Sequence, residues 1–397
     1  MKRKSYLTYK PSGVPWLGDV PEHWEVKRLK RICNFAYGDS LSSEDREDGD
    51  FYVYGSNGVV GTHKSANTRE PVIIVGRKGS YGKINFSRTS VFAIDTTYFI
   101  DNSHTKENLY WLSYMLRCLD LDIGSKDSAV PGLAREDAYK NCIPLPPFPE
   151  QQAIANFLDR ETGKIDTLIN KNQRLIELLK EKRMALISRA VTKGLDPTVK
   201  MKPSGVEWLG DVPKHWEVKK LKYLCNIQTG DKDTIDAIED GNFPFFVRSQ
   251  TVERINSFTF DCEAVLTAGD GVGVGKVFHY VNGKFDFHQR VYMFNKFRNV
   301  TGLFFFYFLR ENFYKVAFDG GAKSTVDSLR MPMLAAFWIT LPPLPEQHAI
   351  ANHIDQETSK IDALIAKVEK AIEKLKEYRT ALISAAVTGK IDVREAA

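Results

Sequence analysis

Two glycine-rich stretches carry the first chemical possibilities in the chain, GRKGSYGK at 76–83 and AGDGVGVGK at 268–276. Glycines let a backbone approach a phosphate closely, and Arg77, Lys78, Ser80 and Lys83 would supply donors to it. In the second stretch Lys276 alone keeps the positive charge. Asp270 would repel a phosphate, although it could accept from a cytosine amino group. The plain alternative is a tight hairpin with solvated charges at each place. The second stretch ends like a phosphate loop, but Val277 follows Lys276 where Ser or Thr is required, so nucleotide binding is not expected. LPPF (145–148) and LPPL (341–344) look like the motif with which amino-methyltransferases hold a flipped base, yet both lack its Asn or Asp. They read as structural turns before a helix. No GxGxxG follows a strand, and no nuclease carboxylate cluster stands out. The five cysteines, Cys33, Cys118, Cys142, Cys225 and Cys262, show no zinc spacing, so no metal is expected.

What remains is contact chemistry. Arg on guanine and Asn or Gln on adenine are the usual bidentate pairs. Candidates in the first half are Tyr54, Ser56, Asn57, Arg88, Lys126 and Arg135. In the second they are Arg248, Ser249, Gln250, Arg254, Gln289, Arg290, Lys323 and Arg330. Taken singly, each of these reads more readily as an ordinary surface polar group than as a base reader. Trp16, Trp24, Trp208 and Trp216 could stack bases, but they recur unchanged in both halves, which favours packing; His23 and His215 read as structural neighbours. The 397 residues carry a net charge of +5, which permits a polyanionic partner without demanding one. No apolar stretch follows Lys2, Arg3 and Lys4, and the run Leu303–Leu309 is far too short to span a bilayer. A cytoplasmic protein with reduced thiols is expected.

These candidates must be positioned by a duplicated framework. PSGVPWLGDVPEHWEVKRLK (11–30) returns as PSGVEWLGDVPKHWEVKKLK (203–222), identical at 17 of 20 positions. PEQQAIANFLD (149–159) returns as PEQHAIANHID (345–355), and ALISRAVT (185–192) as ALISAAVT (381–388). The stretch between the last two is patterned as a long helix, with Pro149 and Glu150 suited to its first turn and Gly194 and Gly389 to its stop. Its expected a/d seam is Ile165, Leu168, Asn172, Leu175, Leu179, Lys182 and Leu186. In the second copy the seam is Ile361, Leu364, Val368, Ala371, Leu375, Tyr378 and Leu382, with Ile169, Ile176, Ile187, Ile365, Ile372 and Ile383 widening the stripe. The two copies are expected to pack antiparallel, with Asn172 and Lys182 setting the register. About 30 residues of such a helix extend about 45 Å, the scale of one turn of B-DNA at about 34–36 Å. The middles of the halves diverge, but both hold β-rich runs (71–76, 91–95 and 97–100; 264–269, 276–280 and 290–294) and one short helix (107–117; 300–310). The expected class is α+β: two mixed, mostly antiparallel α/β domains in a pseudo-twofold tandem repeat, joined by two long antiparallel helices.

The PxPPxPEQxAIAxxxD junction, the helix ending in LISxAVT, the doubled PSGVxWLGxVPxHW and the intervening Gly-rich segment together resemble the specificity subunit of type I restriction–modification enzymes. The resemblance covers essentially the whole chain. It implies two target recognition domains, at 1–148 and 197–344, each reading half of a split double-stranded DNA site. The long helices, at 149–196 with its linker and 345–397 with its tail, would form the spacer that docks two methyltransferase subunits. Restriction (ATPase–nuclease) subunits would join through those. S-adenosylmethionine, ATP and Mg would bind on the partners, and this chain would do no chemistry. The rival readings are a protein–protein scaffold with no DNA role and a self-sufficient nuclease or methylase.

Overall fold

The computed structural model describes residues 4–122, 132–314 and 328–394. The chain forms two units, Met1–Asn172 with Lys370–Ala397, and Gln173–Glu369. The boundary therefore cuts through both long helices instead of falling at their ends, where the sequence repeat suggested it.

In the first unit, strand Val72–Gly76 is buried along its whole length. An unbroken apolar run does this when a sheet is covered on both faces. Ile73 and Val75 join the main core, while Val72 and Ile74 join a smaller cluster on the other face. The antiparallel sheet runs in the order Ala36–Tyr37, Thr97–Ile100, Val72–Gly76, Ile84–Ser87. Helix α1 (Leu109–Leu116) packs on it, capped by the Asn108 side chain on the Trp111 amide at 3.0 Å. A short α2 (Arg135–Lys140) leads to strand Cys142–Leu145, which pairs with Glu25–Arg28. The long helix α3 then spans Phe148–Lys193.

The second unit repeats this plan. Its sheet carries the same four-strand order, Asn226–Thr229, Val291–Asn295, Phe260–Ala268, Phe278–Phe287, and continues into Phe243–Phe246 and Glu253–Ile255. In the first unit the corresponding extra strands, Phe51–Gly55 and Gly58–His63, belong to a separate three-stranded sheet. Helix α4 (Gly302–Asn312) matches α1, α5 (Met331–Ala336) matches α2, and α6 (Leu344–Val387) is the second long helix.

The repeated motifs explain themselves in the packing. Glu150, in the first turn of α3, accepts from the Trp24 indole at 2.9 Å and the Tyr6 hydroxyl at 3.1 Å, and meets His23 at 2.6 Å. Glu346 does the same with Trp216 at 3.1 Å and His215 at 2.8 Å. Gln151 caps the approach to α1, accepting from the Asn108 amide at 2.9 Å, as Gln347 accepts from the Thr301 amide at 2.8 Å. Asp159 takes the Tyr114 hydroxyl and Asp355 that of Tyr307. The helix ends are fixed just as specifically. Lys390 donates to the Leu17 carbonyl at 3.0 Å, and Lys193 to those of Leu209 and Asp211. Trp24 and Trp216 are fully buried and Trp208 stacks on Phe337, while Trp16 is about half exposed.

Each unit contains one antiparallel stretch of the long helices. In the first unit the start of α3 lies beside the end of α6, where Asp166 takes a fork from Arg379 at 2.9 Å and 3.3 Å. In the second unit Arg183 binds Asp362 at 3.0 Å. The seam has a different phase from the one expected. Ile165, Leu179, Ile361, Val368 and Leu382 are buried, and Asn172, Leu186 and Leu375 are half-buried. Leu168, Leu175, Leu364 and Tyr378 are exposed, as are Lys182 and Ala371. Ile176 and Ile372 take the inner position, with half-buried Ile169, Ile365, Arg183 and Arg379 in line. The step from 165, 172 and 179 is thus four residues, not three. Both residues of the pair Leu168-Ile169 are apolar, so periodicity alone left the choice open. The seam carries the two Arg–Asp pairs beside half-buried Asn172, and Lys182 is exposed.

Candidate nucleic-acid interface

In the first unit the Gly-rich stretch is the turn between strands Val72–Gly76 and Ile84–Ser87. It closes through Gly76 N to Lys83 O at 2.8 Å and Gly82 N to Gly76 O at 2.8 Å. A side chain at Gly76 would put its Cβ 2.3 Å from the Ser80 carbonyl oxygen, so only glycine fits. The hairpin alternative is therefore the local architecture, and the question becomes what it presents. Lys78 and Ser80 are exposed at its tip. Lys83 reaches back to Asn57, with Nζ 2.8 Å from Oδ1. Arg77 lies over the Tyr37 ring at 4.9 Å, and Arg135, from the first turn of α2, lies over the same ring at 5.2 Å. Tyr37 itself is half exposed. Asn57, Arg77, Lys78, Ser80, Lys83 and Arg135 thus gather around one turn, with an aromatic plate among them.

Three first-half candidates lie elsewhere. Arg88 sits at the opposite end of the hairpin and pairs with Asp159 of α3 at 2.8 Å, over the Tyr110 ring. It ties the sheet to the long helix. Tyr54 is half-buried against Val72 and Ile74, and burial pushes its hydroxyl pKa up. Ser56 is buried, its hydroxyl donating to the Thr96 carbonyl at 2.5 Å. Lys126 and, in the second half, Lys323 lie outside the described residues.

The second unit puts different groups on the same frame. A shared strut shows the equivalence: Tyr98 donates to the Leu133 carbonyl at 3.1 Å, and Tyr292 to the Leu329 carbonyl at 3.2 Å. Leu133 N bonds Arg77 O and Leu329 N bonds Gly269 O, each at 2.8 Å. Asp270 follows, held by Arg248 at 2.8 Å and Arg290 at 3.0 Å. Burial raises the Asp270 pKa, but the two guanidiniums outweigh it and hold the carboxyl below the usual range. Gln289 donates to Asp233 at 2.6 Å, and Gln250 to the Lys276 carbonyl at 2.9 Å. Lys276 and Arg330 are exposed; Ser249 turns its hydroxyl to Thr251 and its carbonyl to His279. Arg254 does not join them: it holds the carbonyls of Gly241 and Asn242 at 2.9 and 3.1 Å. The stretch 268–276 feeds strand Phe278–Phe287, not a helix, so it lacks the geometry of a phosphate loop.

Sequence reasoning missed Tyr37 and Asp233. A signal for Tyr37 existed. Gly38-Asp39 and Gly230-Asp231 are shared by both halves, and a Cβ at Gly38 or Gly230 would lie 2.1 Å from a carbonyl oxygen. The residue just before this fixed point is Tyr37 in one half and Thr229 in the other. Among the described residues, no group of three or more His, Cys, Asp or Glu side chains could hold a metal ion. No helix is long and apolar enough to cross a membrane.

Two α+β units on one repeated frame, with unlike polar groups at equivalent turns, define a paired recognition protein. The type I restriction modification DNA specificity domain matches residues 21–178 and again 213–374, and the chain belongs to that family. It is 26% identical to the MjaVIII specificity subunit of Methanocaldococcus jannaschii, across 94% of each chain. It is 32% identical to the Escherichia coli EcoDI specificity subunit over 46% of this chain, a match spanning 40% of that relative's length. A chain from a structure of the type I R-M system superimposes with a TM-score of 0.70 at 16% identity, covering 93% of this chain and 98% of that one. The HsdS subunit from Thermoanaerobacter tengcongensis gives 0.54 at 16% identity, covering 94% and 98%. At such identities the two structures support the fold alone.

Proposed function

We propose that this chain is the DNA sequence-specificity subunit of a type I restriction–modification complex, in which each unit reads one block of a bipartite double-stranded site. The carrying observation is that a common frame presents different donors at equivalent turns: Arg77 and Arg135 over Tyr37 with exposed Lys78 on the turn in one unit, Arg248 and Arg290 on Asp270 in the other. Fixed struts with variable tips suit two readers of different sequences, because base contacts specify while phosphate contacts position. Lys78, Lys83, Lys276 and Arg330 would serve the phosphates.

Modification subunits, two in number, would dock on the long helices. Leu168, Leu175 and Leu178 of α3, with Leu364 and Tyr378 of α6, are exposed apolar side chains on otherwise charged helices. Restriction subunits would join through them. S-adenosylmethionine, ATP and Mg would be bound by those partners, this chain would be non-catalytic, and the complex would work in the cytoplasm. The test is co-expression with the modification subunits in an unmethylated host, followed by genome-wide mapping of modified bases. A split motif of two short defined blocks is the expected result. An assembled complex with no modified motif and no salt-dependent DNA affinity would overturn the reading.

A further inference from the structure

Asp270 is an unusual residue to find on a DNA-facing turn. Its carboxylate oxygens take Arg248 and Arg290 from two other turns, one after strand Phe243–Phe246 and one between Phe278–Phe287 and Val291–Asn295. The Asp270 side chain is 19% exposed, against 41% for Arg248 and 59% for Arg290. The acid is held in turn by the backbone, through its bridge to Ser328 and through Gly269, whose amide bonds the Arg290 carbonyl at 2.8 Å. A Cβ on Gly269 would lie 2.9 Å from that same oxygen, so the close approach needs glycine. Beside them Gln289 is pinned by a second acid, Asp233.

A carboxylate in this place opposes phosphate binding, since it cancels one of the two positive charges and repels the DNA backbone. Its geometry suits another task. A guanidinium has five N–H donors in a fixed fork, so one edge can rest on an acid while another stays free. A side chain already held in position loses less conformational freedom on binding. Free Arg edges match the O6 and N7 acceptors of guanine in the major groove. In the first unit Lys78 takes the equivalent place, bridged to Gly132 as Asp270 is to Ser328, and the guanidiniums lie on Tyr37 instead.

We propose that Asp270 is a positioning residue that presents Arg248 and Arg290 to guanine, so that the DNA block read by the second unit contains G·C pairs. This rests on the DNA reading given above. It is tested with the assembled complex of the full chain and its modification subunits. The block that changes when residues 226–336 are exchanged for another recognition domain is the one read by this unit. It should contain guanine. In the wild-type complex, 7-deazaguanine there, which lacks the N7 acceptor but keeps O6, should weaken binding between about twofold and tenfold, half of one bidentate contact. Asp270→Asn should reduce discrimination of guanine from adenine at that position, strengthen binding to unrelated DNA, and leave the other block unchanged. Asp270→Glu should retain part of the discrimination. An assembled complex whose second block lacks guanine, or which is indifferent to 7-deazaguanine, overturns the assignment while leaving the DNA reading intact. So does Asp270→Asn with full discrimination. Loss of all DNA affinity in the wild-type complex would instead remove the reading beneath it.

Discussion

Replacing Glu150 by Ala tests whether the repeated His-Trp motif is a lock on the long helix. Glu150 accepts from the Trp24 indole and the Tyr6 hydroxyl, both from buried residues, and its own side chain is 11% exposed. Removing it strands two buried donors, and each costs about 1–3 kcal/mol when left without a partner. The expected loss is about 3 kcal/mol, or about 6–12 °C in melting temperature for a folded unit of roughly 150–250 residues. Glu150→Gln keeps one carbonyl acceptor for the indole and should lose about half as much. Glu346→Ala is the internal control. Glu346 has Trp216 and His215 and is 30% exposed, so water can replace part of what is lost; about 1–2 kcal/mol is expected. The assay is thermal unfolding of the purified full chain, followed by near-ultraviolet circular dichroism. The lock is refuted if Glu150→Ala melts within a degree of the wild type, or if Glu346→Ala is the more damaging of the two.

Three further outcomes are expected. Ile176→Asp should destabilise by several kcal/mol because it buries an unpaired charge, while Leu175→Asp should stay within about 0.5 kcal/mol and weaken only the docking of modification subunits; equal melting temperatures for the two would restore the other seam phase. Gly389→Ala should cost more than about 1 kcal/mol, since φ is +74° and the new Cβ would lie 2.4 Å from Pro21. Gly194→Ala, whose nearest contact is 3.2 Å, should cost less, and urea midpoints would show a reversed order if the close approach were unimportant. Burial pushes the Cys33 and Cys225 thiols up to about 12, so at pH 8 only about one in ten thousand is thiolate. Iodoacetamide should therefore label half-buried Cys142 and Cys262 first, and mass spectrometry finding Cys33 modified as fast as Cys142 in the native chain would contradict this burial.

The frame was legible because repetition marks what both halves need. Glu150 holds Trp24, Gln151 the Asn108 amide and Asp159 the Tyr114 hydroxyl, and their copies Glu346, Gln347 and Asp355 hold Trp216, the Thr301 amide and Tyr307. The seam phase was not legible, because Leu168 and Ile169 are both apolar and the choice between them is made by packing. The reading face was legible only in part. Basic residues can be picked by type, but Arg88 and Arg254 are consumed by the fold, one on Asp159 and one on two backbone carbonyls. Nothing in their spacing separates them from Arg248 and Arg290. That separation depends on which turn lies beside which, and those turns meet only in the folded sheet.

The way each unit is completed also explains why the repeat differs from the folding unit. The first core includes Leu382, Ile383, Ala386 and Val387 of α6 together with Val393, beside Trp24 and Ile154. Asp392 N bonds the Lys4 carbonyl at 2.8 Å, so the segment after α6 meets the one before the entry motif of the first unit. The second core takes Ile187, Ala190 and Val191 from the end of α3, which leads directly into its own entry motif. Each domain therefore needs a helix start that supplies Glu, Gln and Asp, and a helix end that supplies the LISxAVT face. In the second unit the helix end arrives from the segment just before the domain; in the first it arrives from the far end of the sequence. This requirement constrains both helix ends and both entry motifs together, since the same apolar face must fit the same tryptophan pocket in each unit. The turns at residues 76–83 and 268–276 are under no such joint constraint. They rest on a strut of one tyrosine and one leucine, and can change charge from Lys78 to Asp270 without disturbing what holds the helices.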